Sequence, residues 1–181
     1  MNNDLYIYKC FFEDEKYIQL RLSKKYLLVL LYNFSDENGI VTKTQPQLGE
    51  LTNKNKSVIN VDLKILAANG FIEIKKKEYI KVNRPKNRDR ILISKEFVSG
   101  KYKNLLDGSK FFYVYFSYLQ EKNDKEYIMM RGKDIIKFMG VQVKVMQRYY
   151  RELEEVGLLE KGRKGTSNTF KFNKIKGSND G

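Results

Sequence analysis

Two stretches of this chain recur in the same order at nearly the same spacing, and that duplication limits the possible folds more than any other feature. Ser23-Lys24-Lys25-Tyr26-Leu27 is echoed by Ser109-Lys110-Phe111-Phe112-Tyr113, each a serine and lysine opening an apolar, aromatic-rich run, 109 − 23 = 86 residues apart. Leu66-Ala67-Ala68-Asn69-Gly70-Phe71-Ile72-Glu73 is matched by Leu153-Glu154-Glu155-Val156-Gly157-Leu158-Leu159-Glu160, 157 − 70 = 87 residues apart. Two copies of one unit therefore occupy most of the 181 residues. The 41% hydrophobic content is enough to give each a core.

Each copy reads as the same succession of elements. Ser23 and Ser109 are placed to cap a first helix, because a serine hydroxyl accepts from a free backbone N–H of the first turn. Breaks at residues 36–39 and 121–124 precede short apolar stretches at residues 40–41 and 127–130, read as strands. Thr44-Gln45-Pro46-Gln47 has capping-box spacing with proline in the first turn, so a second helix is predicted over residues 45–51, with its counterpart over residues 132–138. The third helix of the first copy is capped by Asn55, carries Ile59, Leu63 and Leu66 on one face, and stops at Gly70. In the second copy Gly140-Val141-Gln142 makes the turn, Met146, Tyr150 and Leu153 form the stripe, and Gly157 ends the helix. Opposite the stripes lie Ser57, Asn60, Val61 and Lys64, and Lys144, Gln147, Arg148 and Arg151. A hairpin follows each glycine: residues 71–74 and 79–82 around Lys75, Lys76 and Lys77, then residues 158–161 and 169–172 around a loop holding Arg163 and Lys164. Both tips are basic.

Charge points to the partner. Lys and Arg exceed Asp and Glu by 35 − 22 = 13, which favours a polyanion, either nucleic acid or an acidic membrane surface. The chain has no histidine, which excludes histidine-based triads, histidine-held metals and paired-histidine relaxase chemistry. One cysteine, Cys10, allows neither an intrachain disulfide nor a multi-thiolate zinc site, and suits the cytoplasm. The longest apolar run, residues 26–32, is far below the roughly 20 residues of a bilayer span. No enzyme activity, metal, cofactor or membrane partner is expected. Glu73-Ile74-Lys75 imitates the acid-x-Lys pair of some metal nucleases, but no upstream aspartate stands in a strand context. Gly162-Arg163-Lys164-Gly165 imitates an RNA-binding backbone clamp, but sits between two strands. Gly108-Ser109-Lys110 lacks the upstream glycine of a phosphate loop. Phe111, Phe112, Tyr115 and Phe116 fall on helical stripes and are read as packing residues rather than as a base-stacking platform.

The third helix of the second copy adds an argument from charge order. Lys144, Arg148 and Arg151 precede Glu152, Glu154 and Glu155, the reverse of what the helix dipole favours. A phosphate partner at the N-terminal half accounts for this. The alternative is that Arg148–Glu152 and Arg151–Glu155 are ordinary surface pairs at i, i+4 spacing.

Helix, short strand, helix, tight turn, helix and basic-tipped hairpin together resemble the winged helix-turn-helix family. The second copy is the closer match, through Met139-Gly140-Val141, the run from Leu153 to Glu160 and the glycine-rich tip; the first departs, with Thr52-Asn53-Lys54 in place of a glycine-containing turn. Residues 95–103 resemble the lead-in of winged helices in plasmid and phage replication initiators. The resemblance implies an α+β, mainly helical fold of two winged helix-turn-helix units in tandem. Residues 1–82 would form the first, 83–108 a basic linker and lead-in, 109–175 the second, and 176–181 a disordered tail. It further implies that the third helices enter the major groove of double-stranded DNA. Arg148 and Arg151 are then suited to guanine, Gln147 and Asn60 to adenine, and Val61 to a thymine methyl, with Lys56, Ser57, Lys64 and Lys144 beside them. Lys75, Lys76, Lys77, Arg163 and Lys164 would meet phosphates, and half-sites would lie roughly 10 bp apart. Plasmid or phage replication initiation is the first role implied, a transcriptional regulator the second. A tandem winged-helix protein-interaction scaffold is the reading from another class, although such scaffolds are typically acidic. Self-association and other replication or transcription proteins are the further partners.

Overall fold

A computed structural model describes residues 5–75 and 79–175, and the chain divides into the units Met1–Asp107 and Gly108–Gly181. The architecture is α+β, with eight α-helices and three small antiparallel sheets among the described residues.

The first unit begins with strand β1 (Leu5–Tyr8) and two single-turn helices, α1 (Cys10–Glu13) and α2 (Glu15–Ile18). Helix α3 (Leu22–Asn33) is buried continuously from Lys25 to Tyr32, as its apolar composition on every side requires. Helices α4 (Gln45–Thr52) and α5 (Lys56–Ala68) follow, then the hairpin strands β2 (Ile72–Lys75) and β3 (Tyr79–Val82). Residue 40 bridges to Lys81 of β3, so the short apolar stretch at residues 40–41 joins this hairpin. Strand β4 (Arg90–Ile93) pairs antiparallel with β1, Leu5 opposite Ile93 and Tyr8 opposite Arg90. A 3-10 turn at Lys95–Phe97 then buries Phe97. Aromatic rings gather beneath: Tyr17 lies 4.9 Å from Phe11 and 5.0 Å from Phe71 between ring centroids.

The second unit is built in the same order. Helix α6 (Asp107–Lys122) starts at the boundary; β5 (Ile128–Met130), α7 (Gly132–Met139), α8 (Val143–Glu155), β6 (Leu159–Lys164) and β7 (Ser167–Phe172) follow. Its sheet has the order β5-β7-β6. Phe112 centres the core, its ring 4.6 Å from Phe116, 5.3 Å from Tyr150 and 5.5 Å from Phe172. Phe111, Phe112 and Phe116 are buried, and Tyr115 stacks on Phe138 at 4.9 Å.

The duplication extends to hydrogen bonds. Helices α4 and α7 have eight residues each, α5 and α8 thirteen each, and both pairs are offset by 87 (132 − 45; 143 − 56). Gly70 and Gly157 end the third helices with φ of 69° and 74°. The Asn83 side chain donates to the Gly70 carbonyl at 3.1 Å, and Asn173 to that of Gly157 at 3.0 Å, so an asparagine after each hairpin ties it back to the helix end.

Several expectations need correction. Ser23 and Ser109 cap nothing: α3 starts at Leu22 and α6 at Asp107, which puts both serines inside the first turn. Of residues 83–108, expected as a linker and lead-in, all but Gly108 group with the first unit, where β4 completes a sheet with β1 and Phe97, Val98, Tyr102 and Leu105 are buried. The loop expected at residues 162–168 shrinks to Gly165 and Thr166; Lys164 pairs with Ser167, so Arg163 and Lys164 belong to β6. The first copy's turn has no glycine, and Asn53 takes the left-handed conformation at φ 53° where the second copy uses Gly140 at φ 63°. Lys76 and Lys77 lie outside the described residues, as does the expected tail.

Candidate nucleic-acid interface

Short-range chemistry sets the start of α5. The Asn55 side chain accepts from the Val58 amide at 3.0 Å and from the Ser57 hydroxyl at 2.7 Å, fixing the first turn. Ahead of it, Thr44 and Gln47 close a reciprocal capping box on α4. The Asn53 and Lys54 amides both donate to the Gly49 carbonyl, which brings α4 tightly against the turn. A side-chain carbon on Gly49 would sit 2.6 Å from the Lys54 carbonyl oxygen.

An ion cluster holds this turn. Asp62 of α5, with 5% of its side chain exposed, meets Lys24 at 2.8 Å and Lys54 at 3.5 Å; Lys54 also reaches Asp107 at 3.4 Å and donates to the Ser23 carbonyl at 3.1 Å. The equivalent of Asp62 in the second unit is Tyr149 (62 + 87), whose ring lies over Gly108. One copy thus orients its third helix by charge and the other by an aromatic ring.

The outward faces follow from these anchors. On α5, Lys56, Ser57, Val61 and Lys64 are exposed, Val61 at 55%, and Asn60 is half-buried. Ser57 is committed to Asn55, so it serves the helix start. On α8, Met146, Tyr149, Tyr150 and Leu153 are buried, and Lys144, Gln147, Arg148 and Arg151 are all exposed. No ion pair within 4.0 Å involves Lys144, Arg148 or Arg151 among the described residues. The pairs Arg148–Glu152 and Arg151–Glu155 therefore do not form. Glu152 instead accepts a short hydrogen bond from Ser109 on α6. Lys144 stands in a first turn that holds no acidic residue and no side-chain cap, so the positive end of the helix dipole is uncompensated.

The hairpins supply further cations. Lys75 is exposed and 3.3 Å from Glu73, which offsets part of its charge. Lys164 ends β6 in solvent, and Arg163 donates from Nε to the Gly165 carbonyl at 3.2 Å. Sequence reasoning passed over Val58, Val143 and Val145, which stand exposed beside the polar residues at the helix starts, at 41%, 54% and 36%. Their signal was present, since an apolar residue off the buried stripe has no packing partner. It also passed over Lys161, whose ammonium lies 4.9 Å from the centre of the Tyr150 ring, and Lys43, which borders a cleft between the start of α4 and Ile74, Lys75 and Tyr79 of the hairpin.

Among the described residues no helix is long and apolar enough to cross a membrane. Compared with models of known protein families and with curated proteins, the chain matches none.

Proposed function

We propose that this protein binds double-stranded DNA sequence-specifically, as two winged helix-turn-helix units that present α5 and α8 to the major groove. The observation that carries the reading is the outer face of α8. Four side chains able to bond to bases or phosphates stand in solvent, and none of its cations is neutralised by a carboxylate among the described residues. Keeping Lys144 at a positive helix end disfavours the free helix, and phosphate removes that penalty.

Arg148 and Arg151 have the fork geometry for guanine O6 and N7, Gln147 and Asn60 the amides for adenine, and Val61 a methyl-sized contact for thymine. Lys56, Lys64 and Lys144 flank them. Lys75 and Lys164 contact phosphate and position the protein without reading sequence. Because α5 and α8 differ, the two half-sites differ and the target need not be a palindrome. Origin binding in plasmid or phage replication is the role that the resemblance of residues 95–103 supports.

Protection mapping on DNA flanking the gene, followed by titration of the protected duplex, tests this. Arg148→Ala and Arg151→Ala should each lose about 1–3 kcal/mol of discrimination at one base position. Lys164→Ala should weaken all duplexes evenly and reduce the salt slope by about one. Unchanged affinity and preference in both arginine variants would refute the assignment of α8.

A further inference from the structure

The first unit carries a second cationic cleft, lined by none of the side chains assigned above to bases or phosphates. A cleft of about 780 Å³ opens between the end of α3, the β1–β4 sheet and the 3-10 turn at Lys95–Phe97. That size falls in the range of small-molecule sites, roughly 300–1,000 Å³. Its lining includes the aromatic residues Tyr6 and Phe34, the cations Lys43, Arg90 and Lys95, and no carboxylate. This is informative in a chain with 22 acidic residues. None of the three cations has an ion pair among the described residues. The Arg90 guanidinium sits over Tyr6, 4.1 Å from its ring centroid, and Lys43 stands 5.2 Å from that of Phe34. Behind the wall Arg84 donates to the Ser35 hydroxyl at 2.9 Å, while its Nε is buried without a hydrogen-bond partner. The rim holds Leu92, 69% exposed, directly opposite Tyr6 in the sheet.

We infer that this cleft binds a small anion bearing a flat ring, of the nucleoside phosphate class. The exposed Arg90 guanidinium, held over Tyr6 and 5.6 Å from the Tyr8 ring centroid, can also lie against a planar base. Lys43 and Lys95 supply charge for a phosphate. Leu92 covers apolar ring surface. The floor of the cleft is α3 and its edge includes Leu51 of α4, so an occupant would touch the helix that precedes the α4–α5 turn.

Calorimetric titration of the full chain with adenosine monophosphate, adenosine and inorganic phosphate tests the inference. The nucleotide should bind saturably and at least about tenfold more tightly than either of its parts, since each part satisfies half of the site. Arg90→Ala and Lys95→Ala, both at exposed positions, should each weaken it at least about fivefold, and Arg148→Ala should leave it unchanged. A 5′-phosphorylated tetranucleotide separates two sources of the same chemistry: tighter binding than the mononucleotide assigns the site to a strand end, equal or weaker binding to a free nucleotide. Phosphate binding as tightly as the nucleotide, no saturable binding by any probe, or nucleotide binding unaffected in both cleft variants would overturn it. Loss through Arg148→Ala would also overturn it, by assigning the nucleotide to the proposed DNA face.

Discussion

Lys25 makes the stability of this protein depend on pH in a calculable direction. It sits in the buried helix α3 with 6% of its surface exposed, and burial lowers its pKa from 10.5 to about 8. An unfolded chain holds this proton until about pH 10.5, whereas the folded chain releases it near 8. Between those values the unfolded state binds more protons, so stability rises with pH; below 8 the full penalty is present. The fall from 10.5 to about 8 corresponds to about 3 kcal/mol near pH 7, declining to about 1.5 kcal/mol near pH 9.5. Lys25→Met, which keeps the shape of the stem, should therefore stabilise the chain by about 3 kcal/mol at neutral pH and by about half of that at about pH 9.5. Burial also raises the Cys10 thiol to about 11, and that acts oppositely, because the unfolded thiol ionises first as pH passes 9. Only the difference between wild type and variant isolates Lys25. Urea unfolding of both at the two pH values measures it. A difference independent of pH, or a Lys25→Met variant less stable than wild type at neutral pH, would refute the reasoning.

Three further outcomes test the packing that aims α5 and α8. Tyr150→Phe should be neutral or stabilise by about 1 kcal/mol in thermal unfolding, since the hydroxyl is buried without a hydrogen-bond partner; a clear loss would mean that the hydroxyl is satisfied. Gly108→Ala should destabilise by about 1–3 kcal/mol because the added carbon overlaps the phenolic end of Tyr149. Truncating Tyr149 in the same chain should make the two changes strongly non-additive. Asp62→Ala should cost about 3 kcal/mol and Lys24→Ala much less, because the first takes the carboxylate from Lys24 and one of two from Lys54, and the second leaves Lys54 beside Asp62. Equal small losses in denaturant titrations would show that the cluster does not hold the turn.

The elements readable from sequence were those whose instructions lie within a few residues. The capping box at Thr44 and Gln47, the Asn55 cap, the i, i+4, i+7 stripes and the helix-ending glycines 70 and 157 placed α4, α5, α7 and α8 to within a residue or two. Asn53 was ambiguous at that range, because asparagine accepts either hand of backbone, and only the closure of the α4–α5 turn on the Gly49 carbonyl selects the left-handed one. Ser23 and Ser109 carried a real capping signal that lost to helix starts set one or two residues earlier.

The candidate interface depended on contacts that no local window contains. The pairing of β1 with β4 joins residues more than eighty positions apart, and it turns a basic connector into a sheet that frames the cleft. Whether Arg148 faces a neighbouring carboxylate or solvent was open in the sequence, where Glu152 stands at the right spacing. Ser109, on another helix, takes that carboxylate and leaves the guanidinium uncommitted. Periodicity and caps are short-range and survive in the bare sequence, whereas the partner of a surface charge is decided by whichever chain segment folding brings within about 3 Å.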